Sequence, residues 1–207
     1  MASIEDRPAS NSVVNHVRGL LGAPRAEWDR IALEPATRRS LMTGYAAPLA
    51  AIGPVALFVG SLVFGYPALW MREHPTLTAA IAEAIADYAM ALATVFILGL
   101  IIDVLAPVFG GQRSRVGGLK VAVYAATPGW LAGVVLILPQ LGILVFFATL
   151  YGLFLLYLGL PRVMNNDRGK TVGYWGLVVL SSVILYLISA AVTGSVLSSV
   201  SGGVFTG

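Results

Sequence analysis

Residues 103–133 read DVLAPVFGGQRSRVGGLKVAVYAATPGWLAG, and the fold class follows from this stretch. It opens on Asp103, an acid near the end of a long apolar run. It passes through a short loop rich in Gly and Arg, and continues as a second apolar run interrupted by Pro128. About 20 helical residues cover the hydrocarbon thickness of a bilayer, so each flanking run is long enough to be a membrane span. The loop between them is the turn that joins two spans.

Working outward, the same pattern recurs. The apolar runs predict spans at about 45–70, 88–109, 120–138, 141–160 and 174–197. Pro139-Gln140 leaves almost no loop, so the third and fourth spans form a tight hairpin. The first span carries Pro48, Gly53, Pro54, Gly60, Gly65 and Pro67, which a membrane helix tolerates only where neighbours satisfy the freed backbone groups. Composition agrees: 57% of the 207 residues are hydrophobic and 11% charged, against about 25% charged in soluble domains, and the mean hydropathy is +0.84. The predicted fold is an all-α polytopic bundle of five transmembrane helices over residues 45–200, with a short tail at 201–207.

Residues 1–11 are polar, with the composition of a disordered start. Residues 12–44 predict cytoplasmic amphipathic helices. Val13, Val14, Val17, Leu20 and Leu21 share one helical face behind Ser12 as N-cap. After Gly22, Pro24 suits a first helical position, and Trp28, Ile31 and Ala32 make a second stripe. Such helices, one bearing a Trp, suit the bilayer surface, which makes Trp28 an interfacial anchor. Docking on the end of the bundle, or on a partner, is the other reading. The first 44 residues lack the profile of a cleavable signal, so the first span reads as an uncleaved signal-anchor.

Charge sets the orientation. Of the thirteen Lys and Arg residues, all but Arg72 precede the first span or lie between spans two and three or four and five. By the positive-inside rule the N-terminus is cytoplasmic and the C-terminus outside. There is no cysteine, which excludes disulfides and thiolate sites. The histidines, His16 and His74, flank the first span from opposite sides, so no His-based metal site is expected. Neither a cofactor motif nor the basic, aromatic face of a nucleic-acid binder is present.

Four segments carry a family resemblance: LLGAPRAEWDRIALE (20–34), YAAPLAAIGPVALFVG (45–60), FGGQRSRVGGLKVAVYAATPGWLAG (109–133) and YGLFLLYLGLPRVMNNDRGKTVGY (151–174). They resemble the bacterial branch of the Yip1 family over roughly residues 18–200. The resemblance implies five transmembrane helices behind a cytoplasmic N-terminal region. Eukaryotic members of that family are linked to vesicle traffic, prenylated small GTPases and membrane shaping. Bacteria have no such traffic, so that role does not carry over directly.

Several residues could carry chemistry. Asp103 lies about 9 Å inside the end of the second span, counting 1.5 Å per residue. A charged Asp at mid-helix depth costs about 2.5–3.5 kcal/mol on insertion scales, so Asp103 needs a partner, a proton or an interior face. Pro128 frees a carbonyl near Tyr124, and Thr127 can deepen the bend. Asp103, Tyr124, Thr127 and Pro128 therefore form a candidate intramembrane polar site, against a structural bridge and a packing kink as the plainer readings. Arg113, Arg115 and Lys120 could attract anionic lipid head groups, or serve topology alone. Gly129 and Gly133 form a small-xxx-small pair for close helix packing. Glu83 and Asp87, a turn apart at the outer end of span two, either gather cations or cap a solvated helix start. No H-E-x-x-H or G-x-S-x-G is present, and only one carboxylate is deep. The sequence thus points to a non-catalytic protein of membrane organisation or interaction. Its partners would be the bilayer and a membrane protein or second copy. A small ion or solute transporter built on Asp103 and Pro128 is the alternative, and an embedded enzyme a remote third.

Overall fold

The computed structural model describes residues 9–68 and 71–202. Two short helices, α1 (Ala9–Gly22) and α2 (Pro24–Leu33), form a hairpin at the start of the described chain. Pro24 occupies the first turn of α2, where a missing N–H costs nothing. The polar start 1–8 and the side chain of Ser12 lie outside the described residues.

Five helices long and apolar enough to cross a membrane follow: α3 (Ser40–Phe64), α4 (Leu77–Phe109), α5 (Arg115–Ile137), α6 (Ile143–Val163) and α7 (Arg168–Val200). Thr37 and Ser40 cap the start of α3 reciprocally: the Ser40 N–H donates to Thr37 Oγ1, and the Thr37 N–H to Ser40 Oγ, each at 3.0 Å. The first turns of α3 (Ser40–Ala46) are wider than α-helical, just ahead of Pro48, which cannot donate to the carbonyl one turn back. Span one stops at Phe64, earlier than the hydropathy predicts. Gly65 takes φ 67° and Pro67 lacks an N–H, so the chain turns into an antiparallel pair, β1 (Tyr66–Ala68) and β2 (Met71–Glu73), with Tyr66 opposite Glu73.

Thr76 caps α4 by accepting from the Ala79 N–H at 3.2 Å, and Ser114 caps α5 by accepting from the Gly117 N–H at 3.0 Å. The last turns of α4 and α5 tighten to 3₁₀ geometry, over Ala106–Phe109 and Gly133–Ile137. α5 is the axis of the bundle: half of its apolar window lies inside the protein, against 6% for α7. α4 and α6 pack on either side of it, α3 covers its far end, and α7 lies along α4. Leu119, Val121 and Val123 of α5 and Leu155 and Leu160 of α6 belong to one buried core, with Leu119 against Gly99 of α4. Phe146, Phe147, Ile184, Tyr186 and Leu187 face outward, as lipid-facing positions do in a bundle held by close packing rather than by water exclusion.

Gly133 makes one of those close approaches possible. A Cβ there would come within 2.7 Å of Gly53 Cα, so two glycines face each other where α3 crosses the end of α5. Gly129 has Thr149 Oγ1 of α6 as its nearest neighbour, 3.6 Å from where its Cβ would be.

Candidate functional site at the loop end of the bundle

The α1–α2 hairpin, the 110–114 loop and the 164–170 loop meet at one end of the bundle. The Gln112 N–H donates to the Met164 carbonyl (2.9 Å) and the Asp167 N–H to the Phe109 carbonyl (3.2 Å), which ties the two loops together. Tyr174 of α7 stacks on Phe109, with ring centroids 5.0 Å apart, and its hydroxyl donates to the Ile102 carbonyl of α4.

Asp103 is buried at this end, 3% exposed. Its Oδ2 lies 3.4 Å from an Arg113 guanidinium nitrogen, while its Oδ1 is buried with no hydrogen-bond partner among the described residues. A strong guanidinium–carboxylate bond is about 2.7–2.9 Å, so this pairing is loose. Arg113 is mostly exposed, and Arg115, the first residue of α5, is exposed as well.

Lys120 does not join these two. It is 7% exposed, and its ammonium donates to the carbonyls of Ile31 (2.7 Å) and Glu34 at the end of α2. The last carbonyls of a helix have no partner within it and carry its negative dipole end, so a lysine ammonium satisfies both needs at once. A side chain from the central span thus pins the amphipathic hairpin to the bundle.

Trp28 pins the hairpin's other side. It is 0% exposed and lies against Gly159 of α6, where a Cβ would come within 2.7 Å of the indole ring. Only glycine leaves room for that ring. The Tyr151 hydroxyl of α6 donates to the Leu20 carbonyl of α1 at 2.8 Å, a third link. Trp28 therefore sits inside the protein rather than at a lipid interface.

Between hairpin and bundle lies a polar cluster centred on His16. Its Nδ1 is 2.6 Å from Glu27 Oε1 and its Nε2 is 3.3 Å from Glu34 Oε2, while Arg30 reaches Glu27 at 3.0 Å. Tyr124 of α5 packs on the His16 ring (5.1 Å), on Tyr45 (4.6 Å) and on Trp28 (6.2 Å). Thr127 is wholly buried, its Oγ1 3.1 Å from the Tyr45 hydroxyl and 3.4 Å from the Val123 carbonyl. Pro128 follows, also buried. A cavity of about 250 Å³ opens here, lined among others by His16, Glu34, Tyr45, Lys120 and Tyr124.

The structure thus divides the expected intramembrane site. Tyr124, Thr127 and Pro128 belong to the His16 side of α5, and Asp103 belongs with Arg113 at the α4–loop junction. The sequence reading passed over His16 and Glu27. Its available signal was position: His16 falls in the stripe of Val13, Val17 and Leu20, and Glu27 stands one turn before the buried Ile31 on the same side of α2.

The opposite end is simpler. The Tyr66 hydroxyl donates to Glu83, and the Thr193 hydroxyl of α7 donates to Asp87 at 2.9 Å. Burial first, and then the bond to Glu83, push the Tyr66 phenol above its ordinary pKa. These acids tie the hairpin β1–β2 and α7 to α4. Among the described residues no trio of His, Asp or Glu side chains is placed to hold a metal ion.

Residues 18–202 match the model of the Yip1 domain, nearly the whole chain. The chain belongs to the Yip1 family. It is 26% identical over 188 residues to the inner membrane protein YohC of Escherichia coli strain K12, covering 87% of this chain and 94% of that one. It is equally similar to YohC of the O6:H1 strain. No solved structure matches it. Membership and the five apolar helices together make this a multi-pass membrane protein.

Proposed function

We propose that this Yip1-family protein organises the membrane or recruits a partner there, without catalysis, in the bacterial inner membrane with its N-terminus in the cytoplasm. One observation carries the reading: Lys120 of α5 and the seat of Trp28 on Gly159 of α6 dock the amphipathic hairpin on the spans. Leu21 (51% exposed) and Leu33 (88%) are left facing outward from it. A fixed platform with exposed leucines suits a bilayer surface or a membrane-protein partner, a second copy of the chain included. The inner-membrane location rests on the likeness to YohC. The orientation rests on the positive-inside rule, since twelve of the thirteen basic residues belong to the hairpin end by sequence. A photo-crosslinking residue placed at Leu21 or Leu33 in cells should give a discrete protein adduct or a lipid adduct. Absence of both from either position would sink this reading.

A second reading, an ion or solute pathway, has one observation behind it: the unpartnered Asp103 Oδ1 buried within a membrane-spanning helix. Purified protein in liposomes tests it. Proton or cation flux in the wild type that vanishes in Asp103→Asn would replace the first reading with the second.

A further inference from the structure

A larger cavity, about 500 Å³, lies on the far side of α2 from the His16 cluster, against the ends of α6 and α7. That volume falls in the range of about 300–1,000 Å³ typical of ligand pockets. Arg25 and Asp29 of α2, Tyr157 and Arg162 of α6, and Arg168 and Thr171 at the start of α7 are among the residues lining it. Three guanidiniums thus face one carboxylate. Asp29 does not cancel them all. It accepts from Arg162 Nε at 2.9 Å, while Arg162 Nη1 donates to the Leu158 carbonyl at 2.9 Å. Those two bonds fix the plane of the Arg162 guanidinium, which has five N–H donors in all. Arg25 and Arg168 are exposed, and neither has an ion-pair partner among the described residues. The Thr171 hydroxyl is already engaged by Asn166 Nδ2 at 2.9 Å, so the charge of this pocket is in its arginines.

The depth of the pocket is marked by its aromatic wall. Tyr157 is 40% exposed on the outer face of α6 and meets the Trp175 ring edge-on at 6.3 Å. A Tyr–Trp pair near the ends of two spans is what the head-group layer of a bilayer selects. Phospholipids place a phosphodiester at that level, and arginine forks match phosphate oxygens two at a time. Topology alone would ask only for basic residues somewhere in the loops. It would not ask for an arginine held half-buried by an aspartate across two helices.

We propose that Arg25, Arg162 and Arg168 form a binding pocket for a phosphate group, carried by the head group of an anionic phospholipid. The pocket is separate from Arg113 and Arg115 and stands whether or not the hairpin recruits a partner. The test is native mass spectrometry of the full chain released from micelles doped with phosphatidylglycerol, against phosphatidylcholine, whose phosphodiester is already neutralised by its own choline. Arg25→Gln with Arg168→Gln leaves the Arg162–Asp29 link intact and should weaken retention of phosphatidylglycerol about thirtyfold. Arg38→Gln with Arg115→Gln, two exposed arginines outside the pocket, should leave it unchanged. Equal binding by the first pair and wild type would overturn the pocket, as would an equal loss in both pairs. Displacement of the lipid by millimolar inorganic phosphate would keep the phosphate chemistry and move its source to a soluble ester. Should the Arg25/Arg168 pair fail to fold, Arg25→Gln alone must still lower retention, or the pocket is wrong.

Discussion

At the scale of single residues, the two buried charges near the loop end differ in how well they are satisfied, and substitution should reveal it. Lys120 donates to two carbonyls at the end of α2. Lys120→Met keeps the length of the side chain and removes both bonds, leaving buried acceptors unpaired at about 1–3 kcal/mol. Thermal unfolding in detergent should show the loss, and limited proteolysis should cut first between Leu33 and Ser40. Asp103 is the opposite case, loosely paired on one oxygen and unpaired on the other. Asp103→Asn removes a charge held at little gain and should change stability by less than about 1 kcal/mol. Arg113→Gln leaves that carboxylate buried with no cation beside it, and should cost more than Asp103→Asn. The reverse order in melting experiments would show that the pair, and not the burial of a lone acid, sets the balance.

At the scale of elements, the hairpin α1–α2 is stabilised by shape as much as by charge. Trp28 fills the space above Gly159, and its indole N–H has no partner among the described residues. Trp28→Ala opens a cavity and should cost about 3–5 kcal/mol. Trp28→Phe keeps most of the ring while deleting the unpaired N–H, so its cost should be clearly smaller. Gly159→Ala should resemble Trp28→Ala, because a methyl there displaces the same ring; protease sensitivity of α1 and α2 compares all three. If Gly159→Ala leaves the hairpin protected, the close approach of α2 to α6 is not what docks it. The α3 helix shows the other use of local chemistry: Pro48 follows the wider turns and Pro54 lies in the first turn after Ala51, so the span continues through both.

At the scale of the whole molecule, the placement of the ends is a prediction that the absence of native cysteine makes easy to check. In intact cells, a membrane-impermeant maleimide should label His74→Cys and spare Arg115→Cys until the membrane is opened; the opposite pattern would invert the proposed orientation. Five spans and the amphipathic stripes of the first helices were readable in the sequence, because hydropathy and period report what each segment does alone against lipid and water. The end of span one was misjudged by that same measure: Tyr66 and Pro67 are apolar enough to continue it, but the backbone at Gly65 is not helical. The site was readable only in part. Asp103 stood out because a deep acid is costly wherever it lies. Lys120 and Trp28 have the composition of surface residues, a loop-proximal base and an interfacial aromatic, and nothing local distinguishes those roles from buried ones. Their actual neighbours, Ile31 and Glu34 for one and Gly159 for the other, are 86 or more residues away. Which charges are buried, and against what, depends on how α2 crosses α5 and α6, and that crossing exists only once the helices are packed.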